Sequence, residues 1–266
     1  MEIQKAGKRS PKPIDTLRFK RAYQVPLSLV AGLALWYIVA RLGRFPPIIL
    51  PTPYHVWQRL LQALRDGSLL FHSMITISEV LSGLTLGVFT ATLLGYLLAK
   101  SRAAERLLAP YIVASQSVPI VAIAPLLVIW FGPGLLSKVL ICALIVFFPV
   151  LINTIVGIRS VPEELLELMR SLKASRWQIL RLLEFPAALP VFLGGLRIGA
   201  TLAVIGAVVG EFVGADRGLG FLINVGRGLY DTALVFVAIF ALVIIAVSLY
   251  GTVIIAESQL LSWQEK

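Results

Sequence analysis

ALVFVAIFALVIIAVSLYGTVII, residues 233–255, decides the class of this protein. The stretch runs for 23 residues without Asp, Glu, Lys, Arg or His. A helix needs about 20 predominantly apolar residues to cross the hydrocarbon core of a bilayer, so the stretch predicts a transmembrane helix. Of all 266 residues, 58% are hydrophobic and 14% are charged, whereas soluble domains carry about 25% charged residues. The composition therefore excludes a soluble enzyme.

Five further apolar stretches precede this one and predict an all-α polytopic membrane protein with six passes. The passes are expected at residues 25–40, 74–99, 107–131, 139–158, 189–213 and 233–255. Seven Lys and Arg residues precede the first pass, an order that a cleaved signal peptide shares, but the passes that follow favour a retained anchor. Pro119, Pro125 and Pro149 are expected to kink or break the third and fourth passes.

The basic residues assign the loops to the two sides of the membrane. With the N-terminus in the cytoplasm, 16 of the 24 Lys and Arg residues face the cytoplasm and 7 face outward, which is the usual asymmetry. The sequence thus predicts a cell (inner) membrane protein with both termini in the cytoplasm. It has tails at residues 1–24 and 259–266 and a transmembrane domain at 25–258. The net charge of +10 is spread over several loops, which argues against a nucleic-acid partner.

Few charges fall inside the predicted passes. Glu79, Arg197 and Glu211 are the exceptions, and each is expected within about two turns of a helix end. Ion-coupled transporters place ionisable groups near the midplane, so that class is the less favoured alternative. The chain has no nucleotide-binding G-x-x-x-x-G-K-[ST] loop, and Gly218 and Gly220 are interpreted as turn glycines. No enzyme constellation or metal-ligand set is apparent, so the energy for transport must come from another chain.

Small and polar residues mark helix contacts or a permeation path. Glycines at four-residue spacing predict close packing, either within the subunit or between two subunits: Gly83, Gly87 and Gly95, then Gly195, Gly199, Gly206, Gly210 and Gly214. Uncharged polar residues near the prolines either line a path or bond neighbouring helices: Ser115, Gln116, Ser117, Asn153 and Thr154. Glu211 is a candidate gate or path residue. The alternative is an acid at the interface, paired with Arg217 or solvated.

The loop after the fourth pass, RSVPEELLELMRSLKASRWQILRLLEFPAALP at residues 159–190, predicts two short amphipathic helices. Pro162 followed by Glu163 and Glu164 is typical of a helix start. A break is expected before Ser175, which caps a second helix that runs through Leu183 and ends before Pro186. The apolar faces have no core of their own and need a partner surface or the membrane interface.

This loop resembles the EAA loop of ATP-binding cassette importer permeases, whose pattern is E-A-A, three residues, G, nine residues, I-x-L-P. The matching positions, with the spacing kept, are Glu167, Leu168 and Met169, then Lys173 in place of Gly, then Leu183, Phe185 and Pro186. From about Pro46 onward the chain is similar to the nitrate, sulfonate, taurine and vitamin-precursor branch. SVPIVAIAPLLVIWFG (117–132) and GAVVGEFVGA (206–215) look most like permeases for riboflavin or a thiamine pyrimidine precursor, with sulfonate, taurine or nitrate permeases as the alternative.

The resemblance implies a transport subunit without catalytic residues, cofactor or metal of its own. It implies a separate ATPase subunit that holds ATP and Mg, an external solute-binding protein, membrane lipid around the passes, and a second permease subunit, expected to be an identical copy. Residues 159–188 would form the coupling loop on which the ATPase docks. The residues expected to take part are Glu163, Glu164, Glu167, Leu168, Met169, Lys173, Ala174, Ser175 and Trp177.

Overall fold

Over the described residues the fold consists of helices alone. A computed structural model describes residues 15–262, with side chains from residue 27 onward, so parts of the two predicted tails (1–14 and 263–266) lie outside the described residues. The helices are α1 (Asp15–Leu42), α2 (Pro53–Arg65), α3 (Ser68–Lys100), α4 (Arg102–Gln116), α5 (Ile120–Phe131), α6 (Leu135–Arg159), α7 (Glu163–Ser171), α8 (Arg176–Ile179), α9 (Phe185–Gly214), α10 (Leu219–Gly228) and α11 (Thr232–Leu260), with a π-helical segment (Leu180–Glu184) before α9. The all-α prediction is confirmed for this part of the chain.

Four helical stretches between residues 15 and 262 are long and apolar enough to cross a membrane. They are α3, α6, α11 and the continuous stretch Arg176–Gly214, which joins α8, the π-helical segment and α9. The pair α4 and α5 makes a fifth span if it is counted as one broken pass. The predicted first pass overlaps a shorter apolar stretch, Leu27–Leu42, within α1. The total of six passes therefore stays a prediction.

The third predicted pass consists of two helices. α4 ends at Gln116, α5 begins at Ile120, and the two helices meet at an angle of 93°. Pro119 lies in the break, where its ring disfavours a helical conformation of the residue before it. The predicted break at Pro119 is confirmed. Pro125 and Pro149, by contrast, end no helix and lie within α5 and α6.

Helix α6 lies at the centre of the bundle, between α3 and α9. Its Cys142 and Val146 are fully buried. A Cβ added at Gly206 would lie 2.7 Å from the Cα of Cys142, and one at Gly87 would lie 2.8 Å from the carbonyl oxygen of Ala143. The glycines that face α6 in this way are Gly83, Gly87 and Gly95 of α3 and Gly195, Gly199, Gly206 and Gly210 of α9. These glycines therefore pack against another helix of the same subunit, which is the first of the two predicted alternatives.

The helices define two ends of the bundle. α3 and α6 run in the same direction and α9 runs against them. At one end, called the α7 end, lie α7 and α8, and the guanidinium of Arg159 donates a 3.1 Å hydrogen bond to the carbonyl of Leu98. At the other, called the α10 end, lie α2 and α10, and Arg59 forms a 2.7 Å ion pair with Asp231. The predicted cytoplasmic loops thus share one end and the predicted outer loops share the other.

Candidate functional site

The predicted two-helix loop lies at the α7 end and presents apolar side chains outward. Helix α7 begins directly after Pro162 and carries Glu163 and Glu164 in its first turn, as predicted. Leu168 is 54% exposed and Leu172 is 70% exposed, and no residue of α7 is buried. Because an isolated helix of this length gains its stability from packing, its apolar face needs a covering surface.

Most of the candidate coupling residues are exposed on this loop. Trp177, the second residue of α8, is 66% exposed. Met169 and Ala174 are half-buried. The exposed members are Glu163, Glu164, Glu167, Leu168, Lys173, Ser175 and Trp177.

The turn between α7 and α8 depends on Lys173, whose φ is +55°. Its N–H donates a 2.9 Å hydrogen bond to the carbonyl of Arg170, and the N–H of Ala174 donates a 3.0 Å bond to the carbonyl of Met169. Such bonds satisfy the last carbonyls of a helix. The left-handed conformation costs a residue with a Cβ roughly 1–2 kcal/mol, which glycine avoids. Lys therefore keeps the turn geometry at the position where the EAA pattern has Gly.

Ser175 caps α8 as predicted, but the predicted end of this helix is wrong. The Ser175 hydroxyl accepts a 3.3 Å hydrogen bond from the N–H of Gln178, and the Gln178 side chain accepts a 2.7 Å bond from the N–H of Ser175. The helix continues past Leu183 through the π-helical segment into α9. The wider π-helical turn accommodates Pro186, whose ring would clash with a carbonyl in a regular α-helical turn.

Two ion pairs attach this loop to the bundle. Glu184, in the π-helical segment, is 2% exposed and forms an ion pair with Lys100 at the end of α3. Arg159, at the end of α6, forms an ion pair with Glu105 of α4. The sequence analysis missed Glu184. The only sequence signal for this ion pair was an acid two residues before Pro186, near the predicted membrane boundary. Its partner, Lys100, is far away in the sequence.

A second polar site, called the carboxyl cluster, lies at the α10 end and comprises Thr76, Glu79, Lys138 and Glu211. Glu211 is fully buried. It accepts a 2.6 Å hydrogen bond from the Thr76 hydroxyl and a further bond from the N–H of Gly220. The same hydroxyl accepts a 2.8 Å bond from the N–H of Leu219. Glu211 and Thr76 therefore cap the N-terminus of α10, where free N–H groups favour a carboxylate.

Close contact with Glu211 explains the two glycines at the start of α10. A Cβ at Gly220 would lie 2.8 Å from Oε2 of Glu211, and a Cβ at Gly218 would collide with the same carboxylate. Gly218 also has a φ of +105°, a conformation that side chains rarely permit. The interpretation of Gly218 as a turn glycine is confirmed, whereas Gly220 belongs to the first turn of α10.

Glu79 and Lys138 complete the carboxyl cluster, and both are 2% exposed. The Oε2 atom of Glu79 is buried and has no hydrogen-bond partner among the described residues. The Lys138 ammonium donates to the carbonyls of Pro133 and Gly134. The fourth pass was expected to begin at residue 139, whereas α6 begins at Leu135 and so contains Lys138.

Two predictions about charged residues are wrong. Glu211 is buried rather than solvated, and it does not pair with Arg217. Arg217 instead forms a 2.9 Å ion pair with its neighbour Asp216, and the hydrogen bonds from Arg217 hold the pKa of the Asp216 carboxyl below its ordinary value. Glu79 and Arg197 lie more than two turns inside α3 and α9. The charge of Arg197 is tolerated there because its guanidinium pairs with Glu257 of α11.

The other candidate path residues do not join the carboxyl cluster. The hydroxyl of Ser115 donates to the carbonyl of Ile112 at the break after α4, and Gln116 and Ser117 are exposed there. Thr154 is buried against Gly95 and donates a 2.7 Å hydrogen bond within its own helix. Asn153 likewise donates within α6, at 2.8 Å, and packs against Gly195. Among these residues the described hydrogen bonds stay within one helix.

A cleft of about 720 Å³ opens beside the carboxyl cluster. Polar side chains in its lining come from α3, from α6 and from the segment that follows α9: Ser78, Glu79, Lys138, Asp216 and Arg217. Over residues 15–262, no group of three or more His, Cys, Asp or Glu side chains is arranged to hold a metal ion. The cleft can therefore offer hydrogen bonds and paired charges to a small molecule.

Comparisons with known proteins agree on one kind of protein. The family of binding-protein-dependent transport system inner membrane components matches residues 83–258. The chain is 48% identical to the riboflavin transport system permease protein RibX of Chloroflexus aurantiacus over 256 residues, which cover 96% of both chains. It is 36% identical to the formylaminopyrimidine transport permease protein ThiX of Halalkalibacterium halodurans, covering 93% of this chain and 99% of that one.

The fold has a solved counterpart in the inward-facing MetNI methionine ABC transporter. The TM-score is 0.64 at 19% sequence identity, and the match covers 74% of this chain and 97% of that chain. At this identity the likeness concerns the fold alone. The family match extends from the middle of α3 almost to the end of α11, and so includes the two-helix loop and, of the carboxyl cluster, Lys138 and Glu211. The chain belongs to the binding-protein-dependent transport system inner membrane components, the permease subunits of ATP-binding cassette importers.

Proposed function

We propose that this permease imports riboflavin. The identity of 48% with RibX over 96% of both chains carries the proposal, because similarity over the full length includes every segment that contacts a solute. The formylaminopyrimidine permease ThiX supports a second candidate substrate, a thiamine pyrimidine precursor, at the lower identity of 36%. Both candidates are heterocycles that carry polar groups on a flat ring.

The proposed topology has six passes and both termini in the cytoplasm. The α7 end then faces the cytoplasm, and residues 1–24 and 259–266 form tails on either side of a permease domain at 25–258. The excess of Lys and Arg on the α7 side supports this orientation. α3 and α6 run in the same direction and α9 in the opposite one, as expected if one further pass lies between α3 and α6.

A separate ATPase subunit docks on the coupling loop, residues 159–188. Three properties of the loop support this role: exposed leucines on α7, exposed Trp177 on α8, and first-turn acids Glu163 and Glu164. Exposed aromatic and apolar side chains with a charged rim are typical of protein interfaces. ATP and Mg belong to that partner.

Helix α9 connects the docking surface to the α10 end. Glu184, directly before α9, is held to α3 by Lys100, and Glu211, near the other end of α9, caps α10. Because the stretch Arg176–Gly214 is continuously helical, a displacement of α8 moves Glu211 and α10 with it. ATP-driven movement of the loop thereby opens and closes the α10 end to the solute-binding protein. Two identical permease copies form the path.

Transport by the reconstituted complex tests the substrate. The chain is reconstituted in proteoliposomes with its ATPase and supplied with its solute-binding protein and radiolabelled riboflavin. We expect uptake that needs both ATP and the binding protein and that an uncoupler does not abolish.

Competition identifies the substrate in the same assay. Unlabelled riboflavin is expected to compete, while formylaminopyrimidine and taurine are expected not to. Uptake that formylaminopyrimidine or taurine suppresses, but riboflavin does not, would reassign the substrate. Uptake that an uncoupler abolishes at constant ATP would contradict ATP-driven import altogether.

A further inference from the structure

A narrow groove of about 340 Å³ runs along the half of the bundle nearer the α7 end. It is lined by residues of α3, of α6 and of the continuous stretch from Leu180 to Phe192. Phe89, Leu93 and Phe185 of the lining are each more than half exposed, so the groove opens to the surface of the chain. A molecule at that surface can therefore enter it.

The dimensions of the groove match one hydrocarbon chain. A helical rise of about 1.5 Å per residue gives about 18 Å from Leu180 to Phe192, close to half of the ~30 Å hydrocarbon core of a bilayer. A volume of about 340 Å³ over that length leaves a mean cross-section of about 19 Å². A helix, about 10–12 Å across with its side chains, is too wide for such a groove. A single acyl chain, whose carbons approach their neighbours to about 3.5–4.0 Å, has the required width.

The lining is mostly apolar and offers little to a polar solute. The hydroxyls of Thr92 and Thr154, two of its three polar side chains, each donate a 2.7 Å hydrogen bond to a carbonyl of their own helix. The third, Tyr96, is the lining residue of α3 nearest the α7 end. A flavin in this groove would lose hydrogen bonds to water without replacing them, which is unfavourable, whereas a hydrocarbon chain has none to lose.

Positive charge lies at the α7 end of the groove. The Lys100 ammonium is 5.5 Å from the centre of the Tyr96 ring, and its side chain is 43% exposed although it pairs with Glu184. An ammonium has three N–H donors, so Lys100 can contact a second anion. Arg181 is exposed and lies about one turn before Phe185 of the lining. Two positive charges against one carboxylate favour an anionic group at this end.

We propose that the groove binds one acyl chain of an anionic phospholipid, whose phosphate contacts Lys100 and Arg181. Basic pockets between transmembrane helices on the cytoplasmic side of a membrane bind acidic lipid headgroups. Placement in the cytoplasmic leaflet depends on the proposed orientation of the α7 end, but the site does not depend on the proposed substrate. A lipid in this groove contacts α3, α6 and α9 together and so stabilises their packing beside the coupling loop.

Native mass spectrometry of the detergent-solubilised permease and ATPase complex tests the site. The probes are dioleoyl phosphatidylglycerol and dioleoyl phosphatidylcholine, which share their acyl chains and differ in net charge. We expect the complex to bind phosphatidylglycerol about tenfold more tightly, because basic residues attract the acidic headgroup. Inorganic phosphate, which lacks the chain, should not displace the bound lipid.

A matched pair of substitutions on α3 tests the position of the acyl chain. Leu93 and Leu97 are both 54% exposed, but only Leu93 lines the groove. Leu93→Trp should fill part of the groove and weaken binding of both lipids about tenfold, an effect at the scale of a few lost methylene contacts. Leu97→Trp should leave both affinities unchanged. Thermal unfolding of the two variants checks that neither substitution disturbs the fold, as expected at exposed positions.

A second pair of substitutions tests the headgroup contact. Arg181→Gln should reduce the preference for phosphatidylglycerol about fivefold and leave the affinity for phosphatidylcholine unchanged. Arg106→Gln is the control, because Arg106 is also exposed but belongs to α4, which contributes no residue to the lining. This variant should keep the preference of wild type.

Several results would overturn the lipid site. They are equal affinity of wild type for the two lipids, unchanged binding by Leu93→Trp, and an equal loss of preference in Arg106→Gln and Arg181→Gln. Displacement of the lipid by inorganic phosphate or by riboflavin would reassign the groove to a free anion or to the solute. Loss of the dimer mass in Leu93→Trp would assign it to a second permease copy. Riboflavin uptake by the complete importer tests the proposed function separately, so the two proposals can fail independently.

Discussion

At the α7 end, Glu163 is 66% exposed and pairs only with Arg170 of its own helix, whereas at the α10 end Glu211 is fully buried and bonds groups on α3 and α10. Exposed pairs contribute little to stability, typically about 0–1 kcal/mol, while a buried charge becomes costly once its partner is removed. The charged side chains at the α7 end are therefore available for contact with another molecule. The α10 end is held together by its own polar contacts.

The largest expected effect is at the buried side of this comparison. Glu211→Leu removes the acceptor of the Thr76 hydroxyl and of the Gly220 N–H. We expect a loss of about 3 kcal/mol in the free energy of unfolding, because several buried polar groups become unsatisfied together. Thermal unfolding of the nanodisc-embedded permease, without its ATPase, measures it. Glu167→Leu at the α7 end is the control, and an equally large loss there would contradict the contrast.

Overpacking the core between the two ends should have the next largest effect. In Gly206→Val the new Cβ would lie 2.7 Å from the Cα of Cys142, where backbone must shift. Inserting carbon atoms into a packed core costs about 1–3 kcal/mol, which thermal unfolding again measures. Gly251→Val in α11 is the matched control, since no atom lies within 4 Å of its added Cβ. Equal stability of the two variants would show that α6 and α9 separate more easily than their contact indicates.

Substitutions on the exposed loop should affect partner binding and leave stability unchanged. Trp177→Ala and Glu167→Ala are each expected to weaken ATPase association about tenfold, which corresponds to about 1.4 kcal/mol at an interface. Unfolding stability should change by less than about 0.5 kcal/mol, as is usual for exposed positions. Co-purification of the ATPase with the permease measures the association.

An exposed tryptophan at the other end provides the control for this experiment. Trp57 of α2 is 56% exposed at the α10 end, compared with 66% for Trp177. Trp57→Ala should leave ATPase association unchanged. A loss with Trp57→Ala, or none with Trp177→Ala, would contradict docking at the α7 end.

The smallest expected effect concerns the turn inside the loop. Lys173→Gly should increase the free energy of unfolding by about 0.5–1 kcal/mol, because glycine adopts a φ of +55° without steric cost. Lys173→Ala should bring no gain, since alanine keeps the Cβ. Chemical denaturation of the detergent-solubilised protein measures both. A gain with alanine as well would mean that the Lys side chain, rather than its backbone conformation, limits stability.

Local features of the structure were predicted well from the sequence. The long apolar helices, the break at Pro119 and the cap at Ser175 each depend on residues within one or two turns of each other. The resemblance to importer permeases rested on motifs of the same local kind, and the family match agrees with it. The end of α8 was predicted wrongly because a single proline was taken to stop the helix. The π-helical segment before Pro186 removes the clash on which that rule depends.

The carboxyl cluster could not have been predicted in this way. Thr76 and Glu79 come from α3, Lys138 from α6 and Glu211 from α9, and no periodicity within one helix links them. Each acid, taken alone, is expected near a helix end or in solvent. Only the packing of three helices at their glycine contacts brings the groups within hydrogen-bond distance and removes water from them.

The sequence by itself determined that the protein spans a membrane, that its helices are broken at Pro119, and that it belongs with transport permeases, because apolar length and local motifs act over a few residues. The tertiary structure decided which face of each helix is buried. It placed the glycines of α3 and α9 against α6, joined Glu184 to Lys100, and buried Glu79 and Glu211 together beside a cleft. Those contacts join residues that are distant in the chain, and close packing of the backbones is what brings them together.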